Sequence, residues 1–229
     1  MEDQPKAPAI KPSKVVIVTG VVLAFTIPLA SSILLNRSAL SYSDKIFFSR
    51  FIFWGVVGIL WLYARMFEKQ GLLIWPEKRS GTNFILKSVG MLYLLALAAQ
   101  CLSAIPGLLG WHENNTAMKQ ITVVVRQHPM WIMFISITAG FTEEMIFRAY
   151  MLTRLSVLFT NRYTPVILSS LLFAALHYRY NSPHEYIFTF LFGVITSVHY
   201  QKYGNITPLI ILHFLVDLIG LNIAMRFLK

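Results

Sequence analysis

Two glutamates, two histidines and an aspartate interrupt strongly apolar segments, at spacings suited to acid–base chemistry. GFTEEMIFRAY (140–150) carries Glu143, Glu144 and Arg148; SSLLFAALHY (169–178) carries Phe173 and His177; LIILHFLVDL (209–218) carries His213 and Asp217. A charged side chain at the centre of a membrane helix costs on the order of 2.5–3.5 kcal/mol unless it is paired or hydrated, so such a group seldom accumulates by accident. Glu144 and Arg148 are four residues apart, which puts them on one helix face as an ion pair and offsets much of that cost. Glu143 points about 100° away around the helix and is left free for chemistry. Phe173 with His177, and His213 with Asp217, share the same i, i+4 spacing and each pair is expected on one helix face.

Depth brings these residues together. Counting 1.5 Å per residue from the inner membrane side, Glu143 lies about 16 Å deep from an end near Arg154, His177 about 20 Å deep from Thr164, and His213 and Asp217 about 10 and 16 Å from the same side. One polar cavity can therefore hold all four. Such a Glu/His/Asp set serves acid–base work on water, zinc ligation or proton transfer.

The elements that must position them are membrane helices. The 229-residue chain is 56% hydrophobic and 13% charged, with a mean hydropathy of +0.60, too apolar for an ordinary soluble domain. A hydrocarbon core of about 30 Å needs roughly twenty helical residues. Spans are expected near 15–35, 46–66, 86–109, 131–153, 164–178, 186–201 and 206–227, an all-α polytopic transmembrane bundle of about seven helices, eight at most. Residues 1–14 are expected as a cytoplasmic tail and 15–229 as a single transmembrane domain, with no cleavable signal peptide. The loops around 67–85 and 110–130 are expected to be polar connectors. Lys6, Lys11 and Lys14 in the tail, and Arg65, Lys69, Lys78, Arg79 and Lys87 in the second loop region, place the N-terminus in the cytoplasm. The net charge of +10 is spread over loops and helix ends, which argues for lipid headgroups and against nucleic acid as partner. The single cysteine, Cys101, excludes a disulfide framework and is expected as a small packing residue.

In this setting EEMIFR (143–148), FAALH (173–177) and HFLVD (213–217) resemble, in order, the EExxxR, FxxxH and HxxxN/D motifs of the CPBP family of intramembrane proteases, which includes CAAX prenyl endopeptidases and bacteriocin-processing or immunity proteins. GVITSVHYQKYGNITPLIILH, with Gly193, Tyr200, Gly204 and Pro208, is similar to the family's approach to its last motif. The resemblance covers about 130–222, the protease-like core. It implies that Glu143 and His177 activate a water, that Glu144 and Arg148 hold the architecture or assist, and that His213 with residue 217 stabilises the oxyanion. Asp217 departs from the asparagine form of the motif: an ionised aspartate only accepts, so Asp217 cannot donate to an oxyanion and is expected to orient His213 and favour its cationic form. The chemistry stands without the family: hydrolysis of a buried peptide bond needs a base for water, which Glu143 with His177 can supply, and a donor to the oxyanion, which His213 can supply. No cofactor is required on this reading. Glu143, His177 and His213 form the alternative zinc set, although HExxH is absent.

The expected function is thus an intramembrane endopeptidase, at the inner membrane if the source is bacterial, acting on a membrane-associated protein or peptide such as a prenylated tail or a leader peptide. The alternatives are a non-catalytic peptide-binding scaffold or bacteriocin-immunity protein, and, behind it, a proton-coupled transporter, for which no inverted repeat is visible. Among the remaining polar residues, Arg50 is expected to snorkel and His199 to be interfacial. His112, His128 and His184 fall in loops. Trp54, Trp61, Trp111 and Trp131 serve packing or the membrane interface.

Overall fold

A computed structural model describes residues 12–114 and 116–227; most of the expected cytoplasmic tail lies outside them. The described residues are helical, with no strand among them. α1 (Lys14–Arg37) starts at Ser13, whose side chain accepts from the Val16 amide. α2 (Tyr42–Tyr63) starts at Ser41, whose hydroxyl accepts from the Asp44 amide at 3.1 Å and donates to the Asp44 carboxylate at 2.7 Å, satisfying amides that the first turn leaves open. It continues as a π-helical turn over Ala64–Glu68. Then follow α3 (Thr82–Ser103), the short α4 (Ile105–Leu108), α5 (Thr116–Gln127), α6 (Trp131–Glu144), a π-helical segment Met145–Leu152, α7 (Thr153–Leu158), α8 (Tyr163–Ala175), α9 (Pro183–Tyr203) and α10 (Thr207–Phe227).

Four of these helical stretches, Lys14–Arg37, Tyr42–Glu68, Thr82–Leu108 and Thr207–Phe227, are long and apolar enough to cross a membrane. Their outer faces display large apolar side chains such as Leu34, Phe51, Leu94 and Leu108, a surface that water would not tolerate over such an area. Lipid is as apolar as leucine, so helices in it are held by close packing and polar contacts. Gly140 and Gly193 show where that packing is tightest. A Cβ on Gly140 would lie 2.8 Å from the Phe214 backbone nitrogen, and one on Gly193 would lie 2.9 Å from the Ser170 Cβ. These glycines let α6 lie against α10 and α9 against α8.

The two expected connectors are structured. Loop 110–130 contains α5, whose Thr122, Val124 and Val125 are buried; Met118, Ile121 and Val125 recur at helical spacing, but the polar opposite face masks the helix in a hydropathy average. Loop 67–85 is strapped across the end of the bundle. Buried Glu68 pairs with Arg154 at 2.7 Å and accepts from the Tyr150 hydroxyl at 2.7 Å. Arg154 also donates to the carbonyls of Leu72 and Gly71 at 2.5 and 2.8 Å. Further along, Glu77 accepts from the Tyr200 hydroxyl at 2.7 Å and the Ile206 amide at 2.9 Å.

Other expectations shift with tertiary packing. Cys101 is exposed on α3. His199 is buried on α9 beside Tyr203, ring centroids 4.6 Å apart. His184 belongs to the first turn of α9, with Nε2 3.0 Å from Gln100 Nε2. Trp54 packs α2 on α6 by stacking on Phe141 at 4.9 Å.

Candidate active site

The helix carrying both glutamates changes pitch directly after them. α6 ends at Glu144 and the next eight residues, Met145–Leu152, are π-helical and all buried. π-helical turns are costly departures from the regular ladder and recur at functional sites. Here the wide turns carry Arg148 while preserving its pairing with Glu144.

Glu144 and Arg148 lie behind the site. Arg148 Nη1 is 3.0 Å from Glu144 Oε1, with the two side chains 1% and 0% exposed. The contact is an ion pair without the alignment of a hydrogen bond, and Glu144 Oε2 has no hydrogen-bond partner among the described residues. The Arg148 guanidinium lies over the rings of Phe173 and Phe192, 4.5 and 5.8 Å from their centroids, so aromatic faces take the place of further acceptors. The spacing left one partner hidden. His213 Nδ1 is 2.8 Å from the same Glu144 Oε1; a carboxylate accepts, so Nδ1 carries the proton.

That contact fixes the direction in which His213 faces. Its Nε2 lies 3.9 Å from Glu143 Oε2 and 4.0 Å from Asp217 Oδ2. Glu144, on another helix, is therefore the group that holds the imidazole, and Asp217 stands beyond hydrogen-bond distance of the ring atom facing it. This changes the expected pairing of His213 with Asp217.

His177 differs too. α8 ends at Ala175, so His177 is the residue before a 3₁₀ turn (Tyr178–Tyr180) and not part of a continuing helix face. Its Nδ1 is 3.0 Å from the Phe173 carbonyl oxygen. The imidazole adds a second donor to a helix-end carbonyl that also accepts from the Leu176 amide at 3.2 Å. A carbonyl only accepts, so Nδ1 donates and Nε2 is available as an acceptor when the ring is neutral. The ring also packs edge-on against Phe173, centroids 5.0 Å apart.

Glu143, His177, His213 and Asp217 line one cavity of about 840 Å³; Glu144 and Arg148 do not. Glu143 is the open carboxylate of the pair, with Arg50 Nη1 3.9 Å from Oε1 and His213 Nε2 3.9 Å from Oε2. Arg50 and Tyr180 also line the cavity. Arg50 does not snorkel to a surface as expected: its guanidinium turns inward, and a lone arginine in FSRFIFWG was the only sequence signal. Burial first, and then the carboxylates of Glu185 and Asp217, push the Tyr180 hydroxyl well above the ordinary tyrosine range, which keeps it protonated as a donor.

For the alternative zinc set of Glu143, His177 and His213, no three His, Cys, Asp or Glu side chains among the described residues group closely enough to hold a metal ion.

No curated protein and no solved structure matches this chain. Residues 126–219 match the family model described as Type II CAAX prenyl endopeptidase Rce1-like, a segment that holds all three motifs and the α6–α10 contact, so this part of the chain is similar to that family and consistent with a CPBP protease.

Proposed function

We propose that the chain is a multi-pass intramembrane endopeptidase with about seven spans, hydrolysing a peptide bond of a membrane-associated protein or peptide. The observation that carries this reading is the division of labour between adjacent glutamates. Glu144 is closed off by Arg148 at 3.0 Å and His213 at 2.8 Å. Glu143 opens on a cavity shared with two imidazoles.

In the proposed reaction Glu143 takes a proton from water as the water oxygen bonds to the scissile carbonyl carbon, with His177 Nε2 orienting that water. The carbonyl electron pair moves to its oxygen, where His213, acting as the imidazolium with Nδ1–H held by Glu144, donates its Nε2–H to the developing charge. The pair then returns as the C–N bond breaks, and the proton held by Glu143 passes to the departing amine. Glu144 keeps His213 turned toward the cavity. Each step uses only side chains already in place, so no metal is invoked.

The cavity is lined by Leu35, Tyr42 and His184, at the end of the bundle opposite loop 67–85. With the N-terminus cytoplasmic, as the basic residues of that loop favour, the mouth faces the other side of the membrane. The Rce1-like match supports a peptide substrate, with a prenylated tail or a leader peptide as the classes to try.

Cleavage of a mixed fluorogenic peptide library by the purified chain in detergent tests this. Wild type is expected to cut and Glu143→Gln to lose at least about 10²-fold, the scale of a lost general base, with or without chelator. Loss on chelation with recovery on added Zn²⁺ transfers the chemistry to a metal. If a bound peptide stays uncut and Glu143→Gln behaves as wild type, the chain is a peptide-binding scaffold.

A further inference from the structure

Three arginines sit within the bundle, and they are held differently. Arg154 is saturated by Glu68 and by the Gly71 and Leu72 carbonyls. Arg148 is enclosed by Glu144, Phe173 and Phe192. Arg50, on α2, is the one of the three that lines the cavity. Its Nε donates to Ser49 Oγ at 3.2 Å and its guanidinium rests on the Phe53 ring, Cζ 5.2 Å from the centroid. Those contacts anchor the stem. Nη1 approaches Glu143 Oε1 only to 3.9 Å, too far for a hydrogen bond, so the outer N–H groups remain free to donate into the cavity.

The site lacks a donor at this point. Asp217 stands where an asparagine would supply an N–H, and an ionised carboxylate only accepts. On the other side of Glu143, His213 Nε2 is 3.9 Å from Oε2. Arg50 and His213 thus flank the two oxygens of one carboxylate, and a carbonyl attacked by water held at Glu143 would lie between them. A guanidinium carries its charge at any working pH and presents a rigid fork of donors. Building upon the endopeptidase reading, we propose that Arg50 is a catalytic residue that donates Nη–H to the oxyanion alongside His213, replacing the donor that Asp217 cannot provide. Arg50 lies outside residues 126–219, so the charge comes from a helix that the family match does not include.

The water proton still goes to Glu143 and then to the leaving amine. Arg50 transfers nothing: it holds the electron pair on the carbonyl oxygen while the tetrahedral carbon exists, and releases it when the C–N bond breaks.

The test compares wild type, Glu143→Gln, Arg50→Ala and Arg50→Lys as full-length chains in detergent, on the best peptide from the fluorogenic library. Arg50→Ala is expected to lower kcat by about 10²–10³-fold, the scale of a lost oxyanion donor, with KM nearly unchanged. Guanidinium ion, added well below unfolding concentrations, is expected to restore part of that kcat in Arg50→Ala and to leave wild type unaffected. Arg50→Lys keeps the charge without the fork and should fall between them. Unchanged kcat in Arg50→Ala, or a loss that guanidinium does not restore and that follows a lower melting temperature, overturns the donor role while the endopeptidase reading stands. Absence of cleavage by wild type on every peptide, with Glu143→Gln indistinguishable from it, overturns both.

Discussion

Replacing Glu144 by Ala strands a buried cation. Arg148 is 1% exposed by side chain, and among the described residues Glu144 Oε1 is its one ion-pair oxygen, 3.0 Å away. Removing one partner of a buried pair costs about 3–5 kcal/mol, because the remaining charge has neither partner nor water. Two features bring the expectation to the lower part of that range. The guanidinium keeps its place over Phe173 at 4.5 Å, a contact of about 2 kcal/mol when desolvated. A chain unfolded within a membrane also finds other partners for its polar groups, which lowers the measured worth of each native contact. The expected loss is therefore about 3 kcal/mol, or roughly a hundredfold in the folding equilibrium at 1.4 kcal/mol per tenfold. The His213 imidazole loses its 2.8 Å anchor in the same variant, so activity per folded molecule falls as well. Reversible unfolding in mixed micelles measures the first effect. The double variant Glu144→Ala/Arg148→Met removes both charges, and should recover at least half of the lost stability. A single variant within about 0.5 kcal/mol of wild type, the range of an ordinary surface substitution, would refute the argument, since it would mean that water reaches the pair.

Two further outcomes follow from the packing and from the donor count. Gly140→Ala puts a Cβ 2.8 Å from a backbone nitrogen of α10, where nothing flexible can yield, and is expected to cost about 1–3 kcal/mol as overpacking does and to lower kcat by moving Glu143 away from His213; Gly55→Ala, which meets open space, is the control in the same melting assay. Asp217→Asn adds an N–H where only acceptors stood and is expected to retain at least the wild-type kcat on the library peptide, whereas a fall of about 10²-fold, a general-base-sized loss, would show that the carboxylate itself acts on His213.

What the sequence determined by itself was what depends on near neighbours. Apolar runs of membrane-spanning length need no tertiary information, because a span must satisfy its own backbone in lipid. The Glu144–Arg148 pair was legible for the same reason: four residues along a helix fix the partner, and the pair forms at 3.0 Å. The three motifs were likewise readable from order and spacing.

The tertiary structure decided which way each helix faces. Nothing local to EEMIFR says that Glu144 also accepts from His213, sixty-nine residues away at 2.8 Å, or that Glu143 keeps its oxygens open. The end of α8 was misread because FAALH fits a helix as well as a helix end, and only the tightened backbone, with the His177 amide donating to the Ala174 carbonyl at 2.9 Å, distinguishes the two. α5 and the Glu68–Arg154 strap were hidden in polar loops, since a hydropathy pattern records how much of a segment is apolar and not what covers its polar groups. Arg50 makes the same point at the site: its helix accounts for a charge in an apolar run, but only the rotation of α2 against α6 sets that charge 3.9 Å from Glu143. Rotation about a helix axis is fixed by close contacts such as those at Gly140, made between segments remote in the chain, and such contacts leave no periodic trace in either segment alone.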